Sequence, residues 1–442
     1  MGNSTRAAWT LTESPVVGSM RRNPLSSTMV LIGLFTMSWD RFGQFTVGTF
    51  NVKLPVIAFA LTFALTAIDS ISHRRRGPQQ TALITCAFVI LAAMSFMGIF
   101  SEDVLASQLQ AATVLVGAII PLCAVYWNLQ IFPNTDRALS AVIRGGYFSG
   151  IFGVYQLLAF YTNLPQVIPY EALGGGLGRI SSFSYEAGYF GYFLILVIAA
   201  LFARAFLRSE PVGRIPLFFL LSVLVLSNTR ATFFTLPLFF LLLFARWPAN
   251  IRRPKLWPIV SSAVLATGIA VAVSPALLGS FLTRFASIFD PTEISSNAPR
   301  LSGYAIQLHI VQDHPLAGIG AGNLYRVVSE YGGVANGTLS SNGVVANNMW
   351  IQALLDGGLP LLALETTFVL MAVRIMFRRR NPAVRMIMSG WISVALVSSL
   401  ITSLYFDVKV WAILGICLGI SSQVAEAKRG AREVASSRSW NR

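Results

Sequence analysis

Charged residues are scarce in this sequence. Aspartate, glutamate, lysine and arginine make up 12% of its 442 residues, whereas 55% are hydrophobic. Because soluble domains carry about 25% charged residues, this composition excludes an ordinary soluble protein. It indicates a chain built from membrane spans, each of which needs about 20 apolar residues.

Cysteine and histidine are also rare, with three residues of each. The cysteines Cys86, Cys123 and Cys417 lie in separate apolar runs, which excludes a disulfide framework and a Cys-x-x-Cys metal pair. There is no His-x-x-His or Asp-x-Asp pair, no P-loop and no Gly-x-Ser-x-Gly motif. We therefore expect no metal and no cofactor, and neither ATP use nor a hydrolase triad is favoured.

Apolar runs divide the chain into twelve predicted spans. Their approximate limits are 25–39, 54–71, 80–100, 104–127, 138–162, 187–207, 215–228, 231–246, 257–279, 348–376, 385–405 and 408–424. The seventh and eighth are short, and only Ser227–Ala231 separates them. A single re-entrant or bent element is the alternative there.

The basic residues indicate how the spans are oriented. The net charge is +15, and Lys and Arg form short clusters between apolar runs. With both termini in the cytoplasm, 24 of the 33 Lys and Arg fall in inside segments and eight in outside segments. Loops with excess Lys and Arg stay cytoplasmic, so this distribution supports the orientation. It also argues against nucleic acid as a partner, since no basic patch is interleaved with aromatic residues.

The predicted fold class is therefore all-α, a polytopic membrane bundle of about 12 transmembrane helices. A large helical periplasmic loop is expected between the ninth and tenth spans. The predicted regions are a cytoplasmic tail (1–24), spans one to nine (25–279), the periplasmic loop (280–346), spans ten to twelve (347–424) and a second cytoplasmic tail (425–442).

Part of the periplasmic loop has a helical pattern. Asn297 can cap a helix, Pro299 suits its first turn, and Pro315 and Gly318 end it. The residues spaced to share its apolar face are Leu301, Tyr304, Ala305, Leu308 and Val311. The helix is too short to span a bilayer, so we expect it on the outer membrane surface or packed over the bundle.

The stretch "DHPLAGIGAGN", Asp313–Asn323, follows that helix. Gly318 and Gly320 begin a spacing that resembles a dinucleotide-binding fingerprint, but Asn323 stands at the position of the last glycine and no strand precedes it. Two readings remain open. The segment is a tight turn after the helix, or its backbone amides form a cradle for phosphate.

Three of the arginines in segments predicted to be outside are candidate phosphate ligands: Arg179, Arg230 and Arg300. Guanidinium groups bind phosphate oxygens bidentately, so three that converge on one cavity would form a diphosphate site. The alternative for each is a solvated loop charge or a lipid-headgroup anchor. Arg230 is the strongest candidate because it lies between two spans.

The candidate acids and bases are few. Glu186 begins the sixth span and could act as general base for a sugar hydroxyl, or it could pair with Arg179. His314 precedes Pro315, so a turn residue is its alternative role. Asp356, which Gly357 and Gly358 follow, is interpreted as a polar group within the bundle or part of a kink rather than as a catalyst.

The centre of the chain, about 175–365, resembles the O-antigen ligase and O-antigen polymerase family. The resemblance lies in four stretches, namely "GRISSFSYEAGYFGYF", "LSNTRATFFTLPLFF", an Arg-led helix ending in "DHPLAGIGAGNLY", and "NNMWIQALLDGGLPLLAL". Each is degenerate alone, but their order and topology match the family.

The resemblance implies a bacterial inner-membrane glycosyltransferase. Such proteins take a glycan from undecaprenyl diphosphate on the periplasmic face and transfer it to an acceptor sugar hydroxyl. The acceptor is another lipid-linked repeat in a polymerase of O-antigen, capsule or exopolysaccharide, and lipid A core in a ligase. The implied partners are these lipid-linked glycans and the bilayer, with a chain-length regulator and a flippase. Arg179, Arg230 and Arg300 correspond to the family's diphosphate-binding arginines.

One departure from the family favours polymerase over ligase. The family's histidine before asparagine falls at Asn347, followed by Asn348. Asparagine cannot take a proton at neutral pH but can orient a hydroxyl, so the base is Glu186 or His314, or the reaction depends mainly on stabilising the leaving group.

The remaining candidates for glycan contact or turn formation are Tyr304, Gly318, Gly320, Asn323 and Asn348. The alternative from another class is a flippase or other transporter of lipid-linked oligosaccharide. Such a protein should carry charges in the middle of its spans, and this sequence has few there.

Overall fold

A computed structural model provides the fold. It describes residues 24–47, 50–72, 78–162, 164–168, 171–172, 178–245, 247, 268, 279, 297–332, 346, 348–378, 381–400 and 407–423. Most of the predicted ninth span, 257–279, and Asn347 lie outside these residues.

The first half of the described chain is helical, with two short hairpins. Its elements are α1 (Pro24–Thr36), β1 (Phe45–Val47), β2 (Phe50–Val52), α2 (Leu54–Ser72), α3 (Pro78–Gly98), α4 (Val104–Val114), a π-helical turn (Leu115–Ile119), α5 (Ile120–Ile131), α6 (Thr135–Thr162), β3 (Glu171–Ala172) and β4 (Gly178–Arg179). Strands β1 and β2 pair antiparallel, as do β3 and β4.

The second half continues as helices. They are α7 (Ala187–Leu207), α8 (Arg214–Leu226), α9 (Arg230–Ala245), α10 (Asn297–Asp313), α11 (Leu324–Val327), α12 (Met349–Arg378), α13 (Pro382–Ser399) and α14 (Val408–Gln423).

Five helices of the described chain are long and apolar enough to cross a membrane. They are Gln80–Gly98, Val104–Ile131, Ala187–Leu207, Met349–Ile375 and Pro382–Ser399. Five shorter apolar helices accompany them. The protein is therefore a helical, multi-pass membrane protein, while the count of twelve spans stays a prediction.

Helix α7 is the centre of the bundle. Most of its side chains are buried, and it packs against α6, α9 and α13. Small residues permit this close approach, because a Cβ on Gly390 of α13 would lie 2.6 Å from Cβ of Ala199. Close contacts through small residues are how helices pack where lipid supplies no hydrophobic drive.

At one end of the bundle, segments that the sequence predicts to be cytoplasmic lie in contact with one another. Asp136, at the start of α6, accepts hydrogen bonds from Arg208 at 2.7 Å and from Arg204 at 3.3 Å at the end of α7. Thr135 donates to Gln423 at the end of α14. The segments that the charge pattern assigns to one side thus meet in space.

The short helices α8 and α9 are separate elements that run in opposite directions. Helix α8 begins just after the C-terminal end of α7, and the α8–α9 turn lies beside Gly191 near the N-terminal end of α7. Helix α9 then follows α7 back, and its Phe239 ring lies 6.4 Å from that of Phe202. The alternative of a single bent helix is therefore wrong, whereas the re-entrant alternative stays a prediction.

Helix α12 is broken near its start. Gly357 and Gly358 have non-helical backbone angles, with φ +64° and ψ −158° at Gly358. The glycine-rich turn after α10 fills the break, since the Ile319 amide donates to Leu355 O at 2.7 Å and the Leu359 amide donates to Pro315 O at 2.9 Å. The turn therefore replaces hydrogen bonds that the broken helix has lost.

Helix α10 lies where the sequence predicts a helix but packs through a different face. Ile310 and Gln307 are buried, and Ile310 joins a small core with Ile319. Leu301 and Leu308, on the predicted apolar face, remain 51% and 46% exposed. The helix therefore packs over the bundle with part of its apolar surface uncovered by protein.

Replacement of Gly358 by alanine tests the break. Its backbone lies in a region that essentially only glycine adopts, and a Cβ would lie 2.3 Å from Leu316 O. We expect Gly358→Ala to lower the free energy of unfolding by about 2 kcal/mol or more, measured by thermal unfolding in detergent. Gly303→Ala, in α10 where a Cβ meets nothing within 4 Å, is the control and should be neutral or stabilising. Equal effects of the two changes would contradict this account.

Candidate functional site

The other end of the bundle carries a buried cluster of charges. Asp40, after α1, accepts hydrogen bonds from Lys53 and from Lys409, each at 2.9 Å. Lys409 also lies 3.2 Å from Asp407. Burial alone would raise the pKa of Asp40, but the two ammonium groups outweigh burial and hold that pKa below its usual value. We call this end of the bundle the Asp40 end.

The segment Arg179–Glu186 lies against this cluster. The amides of Asp40 and Arg41 both donate to Phe183 O at 2.9 Å. The Arg41 guanidinium donates to Tyr185 O, and Lys53 Nζ lies 4.6 Å from the centre of the Tyr185 ring. The charged cluster thus fixes the backbone that leads into Glu186.

Helix α6 holds the same segment from the other side. The Ser182 amide donates to Gln156 Oε1 at 2.7 Å, and Gln156 Nε2 donates back to Ser182 O at 3.1 Å. The Ser182 hydroxyl donates to Ser149 O at 2.7 Å. Ser182 adopts φ +52°, so these bonds stabilise a tight bend between Arg179 and Glu186.

Glu186 and Arg230 both lie at helix starts in this region. Glu186 is the N-cap residue of α7, where its side chain is exposed and makes no capping hydrogen bond. Arg230 is half-buried and begins α9. A Cβ on Gly191 would meet Thr229 and Thr232, so the Arg230 turn packs on α7 a short distance beyond Glu186. Arg179 is half-buried in β4.

The remaining candidates form a second group around the glycine-rich turn. Gly318 and Gly320 have φ of +64° and +83°. A Cβ on Gly318 would lie 2.3 Å from Leu355 O, and one on Gly320 would lie 2.4 Å from Cβ of Ser101. These glycines permit close packing of the turn on α12 and on the α3–α4 connection.

Asn323 fastens this turn to α4. Its side chain is fully buried, donates to Ser107 Oγ at 2.8 Å and accepts from the Asp103 amide at 3.0 Å. Arg326 adds an ion pair with Asp103 at 2.7 Å. The Ala106 amide and then Arg326 hold the pKa of Asp103 below its usual value.

The other members of this group have defined positions. His314 is exposed, its amide donates to Ile310 O, and its carbonyl accepts from the Gly318 amide. The Tyr304 hydroxyl donates to Leu400 O at 3.3 Å. Asn348 caps α12 by accepting from the Trp350 amide at 2.9 Å. The Arg300 backbone belongs to α10, and the prediction for Asn347 falls outside the described residues.

The two groups lie towards the same end of the bundle, the Asp40 end. Tyr304 contacts the end of α13, and Lys409 at the start of α14 lies 5.7 Å from the Tyr189 ring on α7. Eight residues, 401–408, separate Leu400 from Lys409 along the chain.

Sequence reasoning missed the charged cluster. Asp40, Lys53, Asp407 and Lys409 are not among the candidate residues that the sequence predicts. The sequence feature that indicates the cluster is the position of these charged residues at the ends of apolar runs, where a charge needs a partner. Asp356 accepts from Gln352 at 2.6 Å and directly precedes the helix break, in agreement with its interpretation as a bundle polar group near a kink.

Comparison with known proteins identifies one family. Residues 215–366 match the model of the family described as O-antigen ligase. This match is consistent with the O-antigen ligase and polymerase family that the sequence resembles. No curated protein matches the chain.

Replacement of Asp40 by asparagine tests the charged cluster. The pKa of Asp40 is lower in the folded protein than its usual value of 3.8, so its contribution to stability is present above about pH 4 and is lost as the pH falls through the lower folded pKa. We expect Asp40→Asn to lower the free energy of unfolding by about 2–3 kcal/mol at pH 7. The difference from wild type should shrink below about pH 4, measured by denaturant unfolding at a series of pH values. Glu330→Gln, at an exposed carboxylate, should have little effect at any pH, and a difference for Asp40→Asn that is independent of pH would contradict the assignment.

Proposed function

We propose that the protein is a polymerase of oligosaccharide repeats linked to undecaprenyl diphosphate, with its active site on the periplasmic face of the bacterial inner membrane. The match of residues 215–366 to the O-antigen ligase family carries the proposal. The position of Arg179, Glu186 and Arg230 at the Asp40 end supports it, because these residues combine cations with an exposed carboxylate. The repeats would belong to an O-antigen, a capsule or an exopolysaccharide.

In this proposal the arginines bind the donor diphosphate. Arg179 belongs to β4, Arg230 begins α9, and the backbone of Arg300 belongs to the first turn of α10. Guanidinium groups pair bidentately with phosphate oxygens. Their positive charge stabilises the diphosphate as it leaves, and stabilisation of developing charge in a prearranged site is the largest contribution in many enzymes.

The transfer itself requires one bond to form and one to break. The acceptor hydroxyl oxygen attacks the anomeric carbon of the donor sugar, and the bond from that carbon to the diphosphate oxygen breaks. The hydroxyl proton passes to a base or to the departing diphosphate. Glu186 is the proposed base because its carboxylate is exposed and makes no cap to α7, and His314 is the alternative.

A ligase that transfers glycan to lipid A core is the second candidate, and the description of the matched family favours it. Asn347 at the family's histidine position favours the polymerase, since asparagine cannot accept the acceptor proton. A strain that lacks the gene separates the two, because loss of a polymerase leaves single repeats attached, whereas loss of a ligase leaves none attached to lipid A core.

Alanine replacement of the arginines tests the diphosphate site. In the deletion strain, Arg230→Ala or Arg300→Ala should reduce long-chain glycan on gels by about 100-fold or more, since removing a transition-state contact of this kind costs 10²–10³ in rate. Protein level and membrane insertion should stay normal. Arg208→Ala is the matched control, because Arg208 pairs with Asp136 at the opposite end of the bundle, and it should restore full-length glycan. Long chains with both Arg230→Ala and Arg300→Ala would overturn the diphosphate assignment.

Replacement of Glu186 by glutamine tests the base. Glutamine keeps the size of the side chain but cannot accept a proton, so the rate of chain formation by purified protein should fall by about 10²–10⁴-fold. Substrate affinity should change little. Glu210→Gln removes an exposed carboxylate in the α7–α8 connection and should leave the rate unchanged. An unaltered rate for Glu186→Gln rules this residue out as base.

A further inference from the structure

Helix α10 contacts the ends of two spans at the Asp40 end of the bundle. Near its start, the Tyr304 hydroxyl donates to the carbonyl oxygen of Leu400, the C-cap residue of α13. Just after its end, Pro315 O accepts from the amide of Leu359, which begins the long half of α12. That half, 359–378, has about 20 residues, enough to cross the hydrocarbon core, so its start lies at a bilayer surface. About 15 Å of helix separates the two contacts, and α10 therefore runs along that surface rather than away from it.

One side of α10 faces the bundle, and the opposite side is apolar but exposed. An α-helix turns by about 100° per residue, so the buried residues Gln307 and Ile310 mark the side that faces the bundle. Leu301, Ala305 and Leu308 lie on the opposite side, and all three are exposed. We call these three residues the leucine edge of α10.

The flanks of the leucine edge differ in polarity. Ser302 and His309 are exposed and lie about a quarter turn round the helix on one flank. The His309 ring lies 5.2 Å from that of Tyr331, so the loop residues after α11 are on this polar flank. Tyr304 lies on the other flank, and its contact with the end of α13 puts that flank beside the spans. The exposed residue Gln312 ends the edge at the last turn of α10.

The leucine edge is continued at both ends of α10 by exposed leucines of the spans. Leu400, which Tyr304 contacts, is 59% exposed. Leu316 and Leu359, which lie at the break in α12, are 70% and 52% exposed. Contiguous apolar surface of this kind indicates an interaction partner. Because Leu359 and Leu400 lie at the ends of membrane spans, the partner that adjoins this surface is lipid.

We propose that α10 is an interfacial helix, with its leucine edge among the lipid chains of the leaflet at the Asp40 end and with Ser302 and His309 facing water. Amphipathic helices of this kind lie with their apolar side about 5–10 Å into the boundary between headgroups and chains. The proposal does not depend on the glycosyltransferase function. Combined with that function, it puts the backbone of Arg300, in the first turn of α10, at the depth of lipid phosphates.

The test uses the full-length protein in phosphatidylcholine liposomes, with Cys86, Cys123 and Cys417 replaced by alanine. A fluorescent bimane label is attached to the new thiol of Leu308→Cys, on the leucine edge, or of His309→Cys, the matched control on the polar flank. Phosphatidylcholine with brominated chains quenches a label that contacts the chains, and iodide on both sides of the membrane quenches a label in water. Brominated chains should quench the label of Leu308→Cys about threefold more strongly than that of His309→Cys, and iodide should give the reverse order.

A second position keeps the result independent of the effect of one substitution on folding. Leu301→Cys lies two turns earlier on the leucine edge and should behave like Leu308→Cys. Stronger quenching by iodide at both leucine positions would show that the edge faces water, and protection from both quenchers would show that protein covers it. Either result overturns the proposal. Because quenching does not require activity, these outcomes are distinct from those that test the glycosyltransferase function.

Discussion

A helix within a membrane must satisfy its backbone hydrogen bonds internally or through protein neighbours, because lipid offers none. Helix α12 meets this constraint in an unusual way. It breaks at Gly357–Gly358, and the turn after α10 supplies a donor to Leu355 O and an acceptor for the Leu359 amide. The break is stable only with the turn in place, and the turn is held in place by the break. The turn after α10 and the tenth predicted span are therefore one structural unit.

This unit explains the glycines of "DHPLAGIGAGN". At Gly318 and Gly320 the left-handed backbone and the close approach to Leu355 and Ser101 leave no room for a side chain. Asn323 then connects the turn to α4 by accepting from the Asp103 amide and donating to Ser107. The sequence spacing resembles a nucleotide-binding loop, but its physical cause is backbone packing against a broken helix.

The sequence was sufficient for the membrane class, for helix α10 and for the turn that follows it, since apolar runs, caps and glycines are local signals. The sequence also predicted which segments share a side of the membrane, because loops rich in Lys and Arg stay cytoplasmic. Segments predicted to share a side are the ones that meet at one end of the bundle. The sequence could not predict the face through which α10 packs, since Leu301 and Leu308 have the right spacing for a core but remain exposed. Nor could it predict the Asp40–Lys53–Lys409 contacts, which join residues far apart in the chain.

The proposed site extends beyond the segment that matches the O-antigen ligase family. Arg230 lies within residues 215–366, whereas Arg179, Glu186 and the charged cluster lie outside them. Asp40 of the cluster and its neighbour Arg41 contact the backbone of Phe183 and Tyr185, so they position the segment that leads into Glu186. If the arginines bind a diphosphate common to all donors, then the surroundings of Glu186 are where the acceptor hydroxyl is selected. The regions before and after the matched segment would then decide which glycan is extended, while the matched segment holds the leaving group.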